Sequence, residues 1–193
     1  MLFQTLDNKH QCVGVYYDGN LYFNNDLPEG ISETWNYASF LSDREVRYGY
    51  LQCAGRSLDN VCPDYLKDDW DKINQKLKAY MRSLFISKVS LDENCFYDLV
   101  PERFLLEYCD IKNKITKYVF ENYSPPKNLT FLTLLTKVVE DINQQKLNID
   151  IDEFKPHLAE YKARQWRKKV ERLDPYIRYD IFGTKTGRLT TKK

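Results

Sequence analysis

The chain has 193 residues, 42% hydrophobic and 30% charged, with 29 basic against 28 acidic side chains. That length suits one ordinary domain or two small ones, and seven Gly, seven Pro and 15% aromatics exclude collagen-like, linker-like or disordered composition. No apolar run reaches the roughly 18 residues of a membrane span, and the N-terminus lacks the basic-then-apolar order of a secretory signal, so a soluble, cytoplasmic chain with no membrane partner is expected.

The net charge of +1 hides an asymmetry. Residues 155–193 hold 12 Lys/Arg against 4 Asp/Glu, a balance of +8, which leaves the first 154 residues with 17 against 24, a balance of −7. An acidic body with a basic C-terminal arm points to a polyanion-binding element, against the plainer reading of one solvated basic helix face. The five cysteines, at 12, 53, 62, 95 and 109, form no CxxC pair, and His10-x-Cys12 is the only close metal-type pair. Reduced thiols are expected, with no disulfide framework and no metal site.

In chain order, Val13, Val15 and Tyr17 alternate with Gly14 and Tyr16, Asp18-Gly19 offers a positive-φ turn, and Leu21-Tyr22-Phe23 returns. This pattern predicts a β-hairpin. Asn24-Asn25-Asp26-Leu27-Pro28-Glu29-Gly30 reads as a loop, and a short helix is expected over 34–41. Trp70, Ile73, Leu77, Met81, Leu84 and Phe85 then fall at three- and four-residue steps, the stripe of a long helix. Asp68 and Asp69 mark its start, and with Asp64 and Asp71 they read as capping and solvated groups more readily than as catalytic carboxylates.

A second helix starts at Pro101, buries Phe104, Leu105, Tyr108, Ile111, Ile115 and Val119, and stops at Ser124-Pro125-Pro126. A third covers 130–146, with Phe131, Leu134, Leu135, Val138, Val139 and Ile142 expected inward. The fourth is predicted from an Asp152 cap to 173, with Pro156 in its first turn. It carries Lys162, Arg164, Arg167, Lys168, Lys169 and Arg172 beside a thin apolar stripe of Phe154, Leu158, Tyr161 and Val170. Such a helix docks on one side and can face phosphate on the other. Beyond Asp174-Pro175, Ile177, Tyr179 and Ile181 alternate as a strand. The fold class expected is α+β: an N-terminal hairpin-containing region (1–90), a helical middle that ends in the basic helix (91–173) and a C-terminal strand-bearing segment (174–193).

Thr186-Gly187-Arg188-Leu189-Thr190-Thr191 resembles the Thr-Gly-Arg-Leu-Ser-Ser motif of family A DNA polymerases, and residues 174–189 look like its phage-type version. The resemblance is firm over about 150–191. It implies that 91–173 is a helical thumb and 174–193 the opening of a palm. Arg188 would then reach minor-groove acceptors at the primer terminus, and Gly187 would let the backbone approach the duplex. Thr184, Lys185, Thr186 and Thr190 would support contacts nearby, while Arg164, Arg167, Lys168, Lys169 and Arg172 grip the duplex backbone.

In that family the palm carboxylates, their Mg2+ pair and the nucleotide-binding fingers follow the motif. No catalytic residue, metal ligand or bound cofactor is therefore expected in this chain, although a complete polymerase would use Mg2+. The resemblance implies the N-terminal portion of a replicative nucleotidyltransferase, inactive alone. Its partners would be primer–template double-stranded DNA and a separate C-terminal polymerase half, and its compartment the host cytoplasm if viral. The alternative is a non-enzymatic DNA-binding accessory module, and a third reading is a protein-interaction domain whose cations pair with its acidic body.

The first 90 residues admit a degenerate exonuclease-like domain or an unrelated one. Asp7-Asn8-Lys9 has Lys where an exonuclease strand carries its second carboxylate, and Asn94 and Asp98 have the Asn-x-x-x-Asp spacing, without a later Tyr-x-x-x-Asp match. A lysine at a ligand position opposes cation binding.

Overall fold

The computed structural model describes residues 1–8, 11–23, 27–91, 94–171, 176–184 and 188–191, and leaves the side chains of Asn8, Gln11, Cys12 and Val13 undescribed. The Lys9 and His10 positions, the 24–26 part of the first loop, Arg172 to Pro175, the motif residues Lys185, Thr186 and Gly187, and the last two lysines lie outside the described residues. The fold is α+β, divided into two compact units, Met1–Lys137 and Val138–Lys193.

The first unit opens with an antiparallel sheet of three strands, β1 (Phe3–Asn8), β2 (Gln11–Tyr17) and β3 (Asn20–Tyr22), in that order. The expected hairpin is β2–β3. Asp18 and Gly19 take φ of 47° and 78°, both in the left-handed region that a two-residue turn demands, and Tyr17 pairs with Asn20. Strand β1 was not expected. Phe3, Gln4, Thr5 and Leu6 are all buried, so the segment is covered on both faces and shows no alternation to read. Gln4 holds it in place by donating from Nε2 to Asn113 Oδ1 at 2.8 Å and Thr116 Oγ1 at 3.1 Å.

The helix expected over 34–41 does not form. Glu33–Thr34 is β4, which pairs in parallel with β5 (Arg47–Tyr48), and only Ser39–Leu41 makes a 3-10 turn. Ladder bonding at Thr34 commits the backbone to an extended form before a helix could start. Two single-turn helices follow, α1 (Gly49–Gln52) and α2 (Leu58–Val61).

Helix α3 (Asp64–Ile86) starts four residues ahead of Asp68, with Pro63 at its N-cap. Leu66, Trp70 and Ile73 are buried and Leu77 packs against the same core as Ile73, but Met81, Phe85 and Ile86 are exposed, so the predicted stripe loses its cover toward the end of the helix. After α4 (Phe96–Leu99) comes α5 (Glu102–Asn122), which begins after Pro101 and ends ahead of Ser124-Pro125-Pro126. It is the axis of this unit. Ile115 and Val119 join Trp35, Cys53, Val61, Leu66 and Trp70 in one core cluster, and Phe104 and Leu105 join Ile73 and Val100 in another. Each fully buried Leu, Ile or Val there contributes about 1.5–3 kcal/mol.

Helix α6 (Leu129–Asn143) runs across the boundary between the units. Its buried side chains are Leu132, Val139 and Asn143, while Phe131, Leu134, Val138 and Ile142 are exposed. Four of the six residues expected inward therefore face out. Eight apolar residues between 129 and 142 cover much of the helix circumference, so periodicity locates the helix without selecting its buried side.

In the second unit the single helix expected over 152–173 is broken. Asp152–His157 is a 3-10 stretch containing Pro156, and α7 spans only Tyr161–Val170. Proline lacks the N–H and clashes with the preceding turn, so the chain restarts its helix after Glu160. Strands β6 (Tyr179–Asp180) and β7 (Thr190–Thr191) then pair antiparallel, Tyr179 with Thr191 and Asp180 with Thr190. Among the described residues no helix is long and apolar enough to cross a membrane.

Candidate nucleic-acid interface

Helix α7 has one half-buried side, formed by Ala163, Arg167 and Val170 at steps of four and three. The cation on that side is neutralised locally: Arg167 Nε donates to Glu171 Oε1 at 2.8 Å. The other predicted phosphate contacts divide differently. Lys162, Arg164 and Lys168 are exposed and form no ion pair with a described residue of their unit. Lys169 places Nζ 5.1 Å above the centroid of the Trp166 ring. Lys168 and Lys169 fall in the last turn, where the helix dipole favours positive charge. Arg172 lies outside the described residues.

Of the motif resembling that of the polymerases, the described residues are Arg188 to Thr191, and they lead into and form β7. Thr184 Oγ1 accepts from the Arg188 N–H at 2.9 Å and donates to the Arg188 carbonyl at 3.1 Å, so one hydroxyl pins both backbone groups of the arginine. Arg188 itself is exposed. Asp180 Oδ1 accepts the Phe182 N–H at 2.9 Å, an Asx turn that starts the loop. Gly183 faces Thr190 so closely that a Cβ there would overlap the threonine side chain. Thr184, Arg188 and Thr190 are thus brought into one hairpin, and Lys162, Arg164, Lys168 and Lys169 onto one helix; Lys185, Thr186 and Gly187 lie outside the described residues.

Three residues that hold the hairpin were not singled out from the sequence. Asp180 and Gly183 belong to ordinary turn chemistry. Asn143, buried at the end of α6, accepts the Tyr179 N–H through Oδ1 at 3.0 Å and so fixes β6. Its only sequence signal is a polar residue on an apolar helix face.

The first unit holds a different cluster. Thr5 Oγ1 donates to Asp7 Oδ2 at 2.5 Å, and the Tyr97 hydroxyl donates to the Asp7 carbonyl at 3.1 Å. Lys112 is buried on α5; burial pushes its pKa down, and nearby Cys109 and Asp7 oppose that shift. Burial raises the Cys109 thiol to about 12. Asp7 thus shares this cluster with a buried lysine, while Asn94 and Asp98 of the exonuclease-like spacing are exposed. Among the described residues no group of three His, Cys, Asp or Glu side chains could hold a metal ion.

No family model, curated protein or solved structure matches this chain.

Proposed function

We propose that this chain is a DNA-gripping portion of a family A-like DNA polymerase. In this reading α7 lies along the phosphate backbone and Arg188 reaches the primer terminus. The observation that carries the proposal is α7, where Lys162, Arg164 and Lys168 are exposed and form no ion pair with a described residue of their unit. Cations held this way can displace the counterions condensed on a duplex. The hairpin supports the same reading, because Thr184 fixes the Arg188 backbone and leaves an exposed guanidinium for groove acceptors. The described residues offer no carboxylate cluster for a metal pair, so no step of phosphoryl transfer is assigned to them.

One observation favours a second reading, a non-enzymatic DNA-binding accessory module. The exposed cations of α7 lie on an element separate from the Arg188 hairpin, so backbone binding by itself requires no Arg188. Fluorescence anisotropy with a primer–template junction, plain duplex and single strand separates the two. A junction preference that Arg188→Ala abolishes supports the polymerase reading. Binding that ignores Arg188 but depends on Lys168 supports the accessory module, and no binding at all rejects both.

A further inference from the structure

We propose that α7 is also a stacking site for unpaired bases, with Trp166 as its platform, so that its ligand class includes single-stranded nucleic acid. The proposal rests on the reading of α7 as a DNA-binding helix and adds what that helix recognises beyond phosphate. Of the three tryptophans, Trp35 and Trp70 are each 4% exposed and sit in the core, whereas Trp166 is 60% exposed. An indole in water on a strongly cationic helix contributes nothing to a core.

The neighbours suit a nucleotide. Lys162 and Lys169 lie four residues before and three residues after Trp166, so both flank it on one face of the helix. Lys169 Nζ stands 5.1 Å from the ring centroid, a cation–π contact that steadies the indole while keeping a positive charge beside it. Tyr161, 67% exposed, begins the adjacent row, its hydroxyl accepting from Gln165 Nε2 at 2.6 Å. Interleaved aromatic and basic side chains form the platform on which single strands bind, with bases on rings and phosphates on cations. A paired duplex keeps its bases stacked on each other, so Trp166 is suited to an overhang or unpaired strand.

The test uses the full chain, a 12-nucleotide oligo(dT) and an abasic strand of equal length and charge. Because Trp35 and Trp70 are buried, quenching of the solvent-exposed tryptophan emission reports Trp166 without any variant. Oligo(dT) is expected to quench that emission and to bind about tenfold more tightly than the abasic strand, as one stacked base allows. Trp166→Ala should remove the difference and Trp166→Phe should restore part of it. Equal binding of the two strands with no quenching would overturn the stacking site while leaving phosphate binding intact. Failure of both strands to bind would overturn the DNA-binding reading of α7 together with it.

Discussion

The two units differ in burial and in where their ion pairs lie. In the first, α5 is packed between strand β1 and helices α1, α2 and α3, and ion pairs tie α5 down: Lys76 with Glu107 at 2.7 Å, Arg103 with Glu107 at 3.1 Å, Lys114 with Asp110 at 2.8 Å. In the second, the buried residues among those described are Val139, Asn143 and Ile181, and α7 buries none of its side chains. The difference teaches where to look for each property. The larger buried core is in the first unit, and the exposed cations Lys162, Arg164 and Lys168, which pair with no described residue of their unit, are in the second.

Core substitutions should break the comparison most strongly. Ile115, fully buried on α5, is expected to cost about 3–4 kcal/mol when cut to Ala, read as a shift of the urea midpoint of the full chain. A loss under about 1 kcal/mol would mean that α5 is not the axis of the fold. In the second unit the largest expected effect is polar. Asn143→Ala removes the acceptor of the Tyr179 N–H and should cost about 1–2 kcal/mol. Amide exchange should show the effect as faster exchange at Tyr179, with protection on α5 unchanged.

An effect of similar size to that of Asn143→Ala comes from pH. The Cys109 thiol is raised to about 12 by burial, well above its ordinary value near 8.5. The unfolded chain therefore loses that proton first. Its contribution to stability is complete below about pH 8.5 and declines above it by up to about 1.4 kcal/mol per pH unit until the folded thiol also ionises. Thermal melts from pH 8 to 10 should fall less steeply for Cys109→Ala than for the parent chain, and equal slopes would contradict the assignment. Smallest of all, Lys168→Ala with Lys169→Ala should change stability by no more than about 0.5 kcal/mol, because both side chains are exposed.

What could be read in the sequence follows from how local each signal is. The Asp18-Gly19 turn needs only two residues able to take positive φ, and α5 declares itself through one clean stripe between prolines. Strand β1 was invisible because both of its faces are covered, and α6 showed its extent but not its buried side because apolar residues nearly encircle it. Pro156 appeared tolerable in a first turn, yet the backbone there closes into a 3-10 stretch and delays α7 by nine residues relative to Asp152. The hairpin around Arg188 depends on Thr190 pairing with Asp180, a contact that no periodicity encodes. Lys112 is the clearest surprise, since a lysine between apolar helix positions reads as surface and here lies buried near Cys109 and Asp7.

The claim that α7 faces phosphate is tested most directly by the salt dependence of primer–template affinity, for the parent chain and for Lys168→Ala with Lys169→Ala. Counterion release requires the logarithm of affinity to fall linearly with the logarithm of salt concentration, and loss of two phosphate contacts should reduce that slope by about two. Affinity that stays flat between low and moderate salt, or a slope the double variant leaves unchanged, would contradict it.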